Sequence, residues 1–160
     1  MDDINDIIKS NIDGLFITRL KSFNDQRGAV LKFIDKTKKH FVDFGEVYFS
    51  VINEGVTKGW KLHKLAVQNI CAVYGETIFV ILDRRNNSPT FNQTQEITIN
   101  PQENHLLITI PPGLWYAFRS NSIEFSIISN VSSIVHDTEE SESLDFINNI
   151  FKYEWKNRIK

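Results

Sequence analysis

The chain has little cysteine and no long apolar run. Its one cysteine, Cys71, cannot form a disulfide within the chain, which argues against the disulfide frameworks of small secreted proteins. No stretch approaches the roughly 20 apolar residues that span a bilayer, and the acidic start MDDINDIIKS is unlike a signal peptide. These absences predict a cytoplasmic protein that does not contact a membrane.

An excess of positive charge is also absent. The 18 basic and 20 acidic residues are interspersed and leave a formal charge of −2, which argues against a nucleic-acid partner. The length of 160 residues, with 41% hydrophobic and 24% charged residues, suits one globular domain with one core. Since repeats, low-complexity tracts and linkers are lacking, we predict a single domain over residues 1–160.

Short segments rich in Val, Ile, Phe and Tyr, bounded by Gly, Pro, Asn or Asp, make up most of the chain and are typical of β-strands. They are spaced closely, without long helical intervals, so the sequence favours an antiparallel sandwich or barrel. The predicted strands are residues 15–20, 29–34, 46–52, 69–74, 77–83, 95–100, 105–110 and 123–131.

Helices are expected only at the two ends. DDINDIIKSNI (2–12) predicts a short amphipathic helix, and ESLDFINNIFKYEW (142–155) has apolar residues at helical spacing, namely Leu144, Ile147, Ile150 and Phe151. We expect the second of these helices to cover the core.

Three motifs contain residues suited to binding an anion or shaping a cavity. In DQRG (25–28), Arg27 is a planar cation that could hold a phosphate, or it could pair structurally with Asp25. DRRNNSPTF (83–91) is a turn-forming segment that follows a predicted strand, and either Arg84 or Arg85 could reach a neighbouring binding site. In IPPGLWYAF (110–118), a turn leads into a strand whose alternation puts Tyr116 and Phe118 on one face and Trp115 and Ala117 on the other.

These motifs, with the closing pair Glu154 and Trp155, resemble the DxRG, DxRxxSPTF and IPxGxAHGF signatures of the dTDP-4-dehydrorhamnose 3,5-epimerase family. The resemblance implies an all-β cupin, a double-stranded β-barrel (jelly roll) that forms a homodimer and binds a sugar linked to a nucleotide diphosphate. It also implies a reaction without a cofactor, in the synthesis of surface-polysaccharide precursors.

The resembled enzymes remove protons next to a keto group with a histidine in an RGxH strand, oriented by an aspartate, and return protons from the opposite face with a tyrosine. Matched without a gap, KGWK (58–61) puts Lys61 at the base position, whereas an insertion of two residues would restore His63 to it. Because strand side chains alternate, Lys61 and His63 share one face, and both could project into the same cavity.

Other family positions are not matched. The family's tyrosine is expected near EFSI (124–127), where this chain has none. Asn148 occupies the position expected for the aspartate, and Tyr116 occupies that of the histidine in AHGF. On chemical grounds Tyr116 could replace the acid and Asp145 the carboxylate. We therefore expect catalytic roles for His63, Lys61 and Tyr116, and substrate contacts from Arg27, Lys58, Arg84, Arg85 and Phe118.

A bound metal is not expected. Metal-binding cupins supply two histidines and a glutamate from one motif and a third histidine after the Pro-x-Gly turn, because a metal needs three or four converging donors. In this chain His63 has no histidine two positions away, and Tyr116 follows the turn.

KGWKLHK also resembles, locally, the RGxHAHK stretch of the dTDP-sugar 3,4-ketoisomerases, with Lys61 and His63 in place of the two histidines. A lysine beside His63 would lower its pKa and could stabilise an enolate oxygen. Three hypotheses remain open at this point. The protein is an epimerase or isomerase, a catalytically inactive relative that still binds the nucleotide sugar, or a structural cupin whose Arg27, Lys61 and His63 are satisfied polar groups.

Overall fold

The computed structural model describes residues 6–146 and 150–156. Within these residues the chain forms thirteen β-strands and a short 3-10 helix, Thr138–Glu140. The strands are β1 (Ile7–Ile8), β2 (Phe16–Arg19), β3 (Ser22–Asp25), β4 (Gly28–Leu31), β5 (Glu46–Asn53), β6 (Thr57–His63), β7 (Gln68–Tyr74), β8 (Thr77–Asp83), β9 (Thr94–Ile99), β10 (Leu106–Ile110), β11 (Leu114–Ser120), β12 (Phe125–Ser132) and β13 (Ser141–Ser143).

Two antiparallel sheets pack face to face. The six-stranded sheet has the order β1-β2-β10-β7-β12-β5, the five-stranded sheet has the order β13-β6-β11-β8-β9, and β3 and β4 form a separate hairpin. Each of the eight predicted strands overlaps an observed strand, although β4 ends at Leu31 rather than at residue 34. The all-β jelly-roll prediction is therefore confirmed.

The main core lies between the two sheets, where inward-facing side chains of both meet. Tyr116 and Phe118 of β11 belong to this core, whereas Trp115 and Ala117 belong to a second cluster on the outer face of the five-stranded sheet. The alternation predicted for β11 is confirmed. Because both faces of β8 and β11 are covered, every residue of these two strands is buried.

The chain after β13 covers that outer face. Leu144, Phe146, Phe151, Tyr153 and Trp155 pack in the second cluster, so the predicted covering role is confirmed.

The prediction of a helix over 142–155 is wrong, since none of the described residues in this range is helical. The backbone of Leu144 exchanges two hydrogen bonds with that of Trp60, N–H to O distances 2.9 and 2.7 Å, and therefore continues the pairing of β13 with β6. Ile147 and Asn148 lie outside the described residues.

The prediction of an N-terminal helix over 2–12 is also wrong for residues 6–12, the part of this range that the structure describes. Ile7 and Ile8 form β1, which pairs with Thr18 and Ile17 of β2, and the partly buried Ile8 packs against the main core. Residues 2–5 lie outside the described part. No helix within residues 6–146 and 150–156 has the length and apolar character needed to cross a membrane.

A bulge in β6 decides which side chains of this strand face inward. Lys61 pairs with Tyr116 and Gly59 with Ala117, so Trp60 is an extra residue between two consecutive partners on β11. Trp60 is turned into the outer cluster. As a result Lys58, opposite Phe118, lies on the same inner side as Lys61, although simple alternation would separate them.

We predict that Gly59→Ala destabilises the protein through this bulge. Gly59 has φ +123°, and a Cβ there would lie 2.7 Å from both Cα and Cβ of Ala117. Gly28→Ala is the matched control, because Gly28 has φ +137° and nothing within 4 Å of an added Cβ. The free energy of unfolding from urea titrations should fall further for Gly59→Ala, by about 1–3 kcal/mol of overpacking. Equal losses in both variants would contradict this account.

Candidate active site

His63 lies at the end of β6 between two partners. Its Nδ1 is 2.8 Å from Oε2 of Glu140, and its Nε2 is 3.2 Å from the hydroxyl of Tyr116. His63 is 9% exposed, Glu140 5% and Tyr116 4%. The three side chains therefore form one buried hydrogen-bonded chain from a carboxylate through an imidazole to a phenol.

Glu140 is held rigidly on its other oxygen. Oε1 accepts hydrogen bonds from the backbone N–H groups of Leu65 (3.0 Å) and Ala66 (2.8 Å), in the turn that follows β6. The backbone carbonyl of Glu140 accepts from the N–H of Lys64 at 2.8 Å. The carboxylate and the turn after His63 thus position each other.

Sequence reasoning missed Glu140. The carboxylate that meets His63 is this residue, whereas Asp145 is exposed and Asn148 lies outside the described residues. The signal that could have found Glu140 is the pairing of Ser141 with His63 across β13 and β6, and this pairing has no local pattern in the sequence.

The environment favours the neutral form of the His63 imidazole. Burial lowers the pKa of His63 below its usual value, Glu140 opposes that shift, and the charge of Lys61 adds to it. Burial would raise the pKa of Glu140, but hydrogen bonds from Ala66, His63 and Leu65 lower it. An ionised carboxylate can only accept hydrogen bonds. Nδ1 of His63 therefore carries the ring proton and donates it in a hydrogen bond to Glu140. The lone pair is therefore left on Nε2.

Tyr116 supplies the donor to that lone pair. Burial raises its pKa well above the ordinary value, so the phenol keeps its proton. The hydroxyl of Tyr116 donates to Nε2 of His63 when no ligand is bound.

Two adjoining cavities lie in front of these groups. The inner one, about 260 Å³, lies between β5, β7 and β12 of one sheet and β6 and β11 of the other, and its lining includes Lys58, Tyr116 and Phe118. The outer one, about 420 Å³, is lined by His63 and Glu140 among others. Tyr48 and Lys61 line both. The structure thus brings together five of the eight predicted residues, namely Lys58, Lys61, His63, Tyr116 and Phe118.

Arg27 is not near this cavity. It lies at the turn of the β3–β4 hairpin with its side chain 90% exposed, and it forms a two-pronged pair with Asp25, Nε to Oδ2 3.1 Å and Nη2 to Oδ2 2.6 Å. Within its own chain, Arg27 therefore shows the structural pairing that the sequence left open as an alternative.

Arg84 and Arg85 are placed away from the cavity as well. Arg85 donates to Asp83 (Nε to Oδ1 2.9 Å, Nη2 to Oδ2 2.7 Å) and to the carbonyl of Asp13, which ties the β8–β9 connection to the segment before β2. Arg84 is exposed, and its guanidinium lies 5.5 Å from the ring centre of Phe91. In this chain both arginines stabilise the β8–β9 hairpin and its surroundings.

No cluster of three or more His, Cys, Asp or Glu side chains arranged to hold a metal occurs among residues 6–146 and 150–156.

Known proteins resemble this chain along most of its length. A family model described as dTDP-4-dehydrorhamnose 3,5-epimerase matches residues 9–160. The spore coat polysaccharide biosynthesis protein SpsL of Bacillus subtilis (strain 168) is 25% identical over 108 residues, which is 68% of this chain and 71% of that protein.

Solved structures also resemble this chain. A dTDP sugar isomerase from Desulfovibrio desulfuricans G20 superposes with a TM-score of 0.90 at 27% identity, covering 95% of this chain and 98% of that one. A dTDP-6-deoxy-D-glucose-3,5-epimerase from Legionella pneumophila, in complex with dTDP-4-keto-L-rhamnose, has a TM-score of 0.81 at 23% identity and covers 94% of this chain and 82% of that one. The second likeness shows the shared fold.

We predict that Glu140→Gln moves the proton of His63 to the wrong nitrogen. The amide oxygen would take the place of Oε1 opposite the N–H groups of Leu65 and Ala66, so the amide NH2 would face Nδ1 and need an acceptor there. His63 would then carry its proton on Nε2 and lose its lone pair towards the cavity. Nitrogen-15 NMR of the histidine rings measures the tautomer directly.

Glu139→Gln is the control for this experiment, since Glu139 is exposed and contributes its backbone carbonyl to Lys64. It should leave the His63 spectrum unchanged. A Glu140→Gln spectrum with Nδ1 still protonated would contradict the assigned role of the carboxylate.

Proposed function

The chain belongs to the dTDP-4-dehydrorhamnose 3,5-epimerase family, and we propose that it epimerises or isomerises a dTDP-linked 4-keto-6-deoxyhexose by removing a proton from a carbon next to the keto group. The observation that carries the proposal is the buried chain of Glu140, His63 and Tyr116 beside the amine of Lys61. A fixed neutral imidazole next to hydrogen-bond donors is what enolate chemistry requires.

His63 acts as the base. When the sugar binds, the acidic C–H replaces the Tyr116 hydroxyl at Nε2, and Nε2 takes the proton while the C–H electrons move into the bond towards the keto carbon. The resulting imidazolium is stabilised by the carboxylate of Glu140, 2.8 Å from Nδ1. Its cost of formation is therefore reduced at the moment of proton transfer.

Negative charge then develops on the former keto oxygen. Lys61, which lines both cavities, and the released hydroxyl of Tyr116 are the donors placed to bind this enolate oxygen. Both side chains line the inner cavity before substrate arrives, and the Tyr116 hydroxyl then changes its hydrogen-bond partner from Nε2 of His63 to the enolate oxygen. The high pKa of Tyr116 suits a group that donates a hydrogen bond without losing its proton.

Lys58 is the residue we assign to the diphosphate. The β6 bulge places it in the lining of the inner cavity with Phe118, and an ammonium there complements a phosphate. The Legionella structure holds dTDP-4-keto-L-rhamnose, which supports a nucleotide-linked sugar as the ligand class. SpsL, a polysaccharide biosynthesis protein, supports a place in the synthesis of polysaccharide precursors.

The chain is proposed to act as a homodimer. The outer face of β5 exposes Val47, Phe49 and Val51, which are 50–65% exposed, and the β3–β4 hairpin exposes Phe23 and Val30. Apolar surface of this extent is typical of an interface. Arg27 lies outside the cavity of its own chain, so a substrate contact by Arg27 would require the second protomer.

Hydrogen exchange tests the reaction. Incubation with dTDP-4-keto-6-deoxyglucose in deuterated water should place deuterium at a carbon flanking the keto group, observed by NMR. His63→Asn should lower this rate by about 10²-fold or more, because the base is removed. His105→Asn is the control, since His105 lies outside both cavities and contacts the carbonyl of Lys32.

An unaffected rate in His63→Asn would exclude it as the base. If the wild-type protein exchanges nothing, the enzyme proposal fails. A rise in melting temperature with dTDP would in that case indicate the catalytically inactive nucleotide-sugar binder.

The exchange rate should depend on pH through His63. The base works only when neutral, and burial lowers its pKa from the ordinary 6.5, so neutral His63 persists below pH 6.5 and is lost only as the pH falls through the lowered value. The rate should therefore be flat near pH 7 and fall about tenfold per pH unit on the acid side. A midpoint at or above 6.5 would contradict a buried, neutral base.

A further inference from the structure

The turn that precedes β11 is bonded to the backbone of His63. In this turn the N–H of Gly113 donates to the carbonyl of His63 at 2.7 Å. The bond lies beyond the paired part of β6 and β11, whose register begins at Trp115 and Leu62. Gly113 therefore joins the end of β6 to the start of β11, the two strands that carry His63 and Tyr116.

Arg85 packs directly on this glycine. A Cβ at Gly113 would lie 3.1 Å from Cδ and 3.3 Å from Cγ of Arg85, which is closer than a relaxed contact between carbon atoms. The aliphatic part of the Arg85 side chain therefore covers Gly113 and leaves no room for a larger residue there.

The guanidinium group keeps that aliphatic part in place. Asp83, which is 0% exposed, accepts at Oδ1 from the Arg85 backbone N–H (3.0 Å) and Nε (2.9 Å), and at Oδ2 from Nη2 (2.7 Å). Nη2 also donates to the carbonyl of Asp13 at 2.7 Å. Since a planar fork holds a carboxylate in one orientation, the Arg85 side chain is fixed from its backbone to its tip.

The carboxylate of Asp83 stays ionised at neutral pH and so keeps this pair intact. Burial would raise its pKa, but hydrogen bonds from Arg85, Ser88 and Thr90 lower it. The hydroxyls of Ser88 and Thr90 donate to Oδ2 at 2.6 and 2.7 Å. Asp83 is the last residue of β8 and pairs with Leu114, the first residue of β11. The pair is thus anchored at the strand end beside the turn.

We propose that Arg85 is a positioning residue of the active site, which fixes the spacing of His63 and Tyr116 through the turn at Gly113. This inference rests on the proposed function, in which His63 is the base and Tyr116 the donor beside it. The two side chains are 3.2 Å apart between Nε2 and the hydroxyl. A displacement of about 1 Å that originates outside a site can lower a rate by about 10²-fold.

Arg85→Gln tests the proposal by removing the fork that holds the side chain over Gly113. The amide of Gly113 should then exchange its hydrogen about tenfold faster or more, because its bond to the His63 carbonyl opens more often. The nitrogen-15 signal of His63 Nε2 should also move, since its bond with Tyr116 changes. Arg84→Gln is the matched control, because Arg84 is the exposed neighbour in the chain, and it should leave both signals unchanged.

Kinetics separate positioning from two other roles. In deuterium exchange into dTDP-4-keto-6-deoxyglucose, Arg85→Gln should lower kcat by about tenfold or more and change KM by less than about threefold, because the groups that bind the sugar remain. A raised KM at constant kcat would make Arg85 a substrate contact and overturn the proposal. A lower melting temperature with kcat and both NMR signals unchanged would make it a residue of stability alone, which would overturn the proposal as well.

Gly113→Ala tests the same contact from the turn and decides the matter if Arg85→Gln does not fold. The added Cβ has to displace either the turn or the fixed Arg85 side chain, so amide exchange at position 113 should rise and kcat should fall. Gly14→Ala is its control, since φ is +77° at Gly14 and +86° at Gly113, but a Cβ at Gly14 has no contact closer than 3.4 Å.

Equal His63 signals and equal kcat in Gly113→Ala and Gly14→Ala would overturn the role of Arg85. If the wild type exchanges no deuterium, the proposed function fails. The amide exchange of Gly113 and the His63 signal would in that case still show whether Arg85 positions the two side chains.

Discussion

The carboxylate of Glu140 connects the fold to the site. One oxygen binds the turn after β6 through the N–H groups of Leu65 and Ala66, and the other binds Nδ1 of His63. A buried carboxylate is tolerated only when its oxygens are satisfied, and each buried donor left without it would cost about 1–3 kcal/mol. The short 3-10 helix that ends at Glu140 is therefore held to the barrel by the same interaction that sets the tautomer of the proposed base.

The bulge at Trp60 is the second constraint, and it acts on the neighbouring end of β6. Trp60 faces outward, where it stacks on Phe146 at 5.4 Å between ring centroids, and the extra residue brings Lys58 to the inner side. One irregularity thus adds a cation to the cavity. A regular strand with the same residues would direct Lys58 away from Lys61 and His63.

The sequence predicted the strands, the alternation of β11 and the shared face of Lys61 and His63, because these depend on local patterns of period two. It could not predict Glu140, whose meeting with His63 depends on a contact between residues 77 apart in the chain. The terminal helices failed for a related reason. Helical spacing around Leu144 was outweighed by backbone pairing with Trp60 and by burial of aromatic side chains on the outer face.

The sequence left open whether Lys61 or His63 in KGWKLHK is the base. The two candidates differ in the protonation state that each would need. A lysine amine must lose a proton before it can act as a base, and a neutral amine needs an environment that disfavours the ammonium. Lys61 lines two cavities that open towards solvent, and Glu140 lies on the outer one. Burial favours the neutral form of His63. In the proposed reaction His63 takes the proton, and Lys61 donates a hydrogen bond to the oxygen that becomes negative.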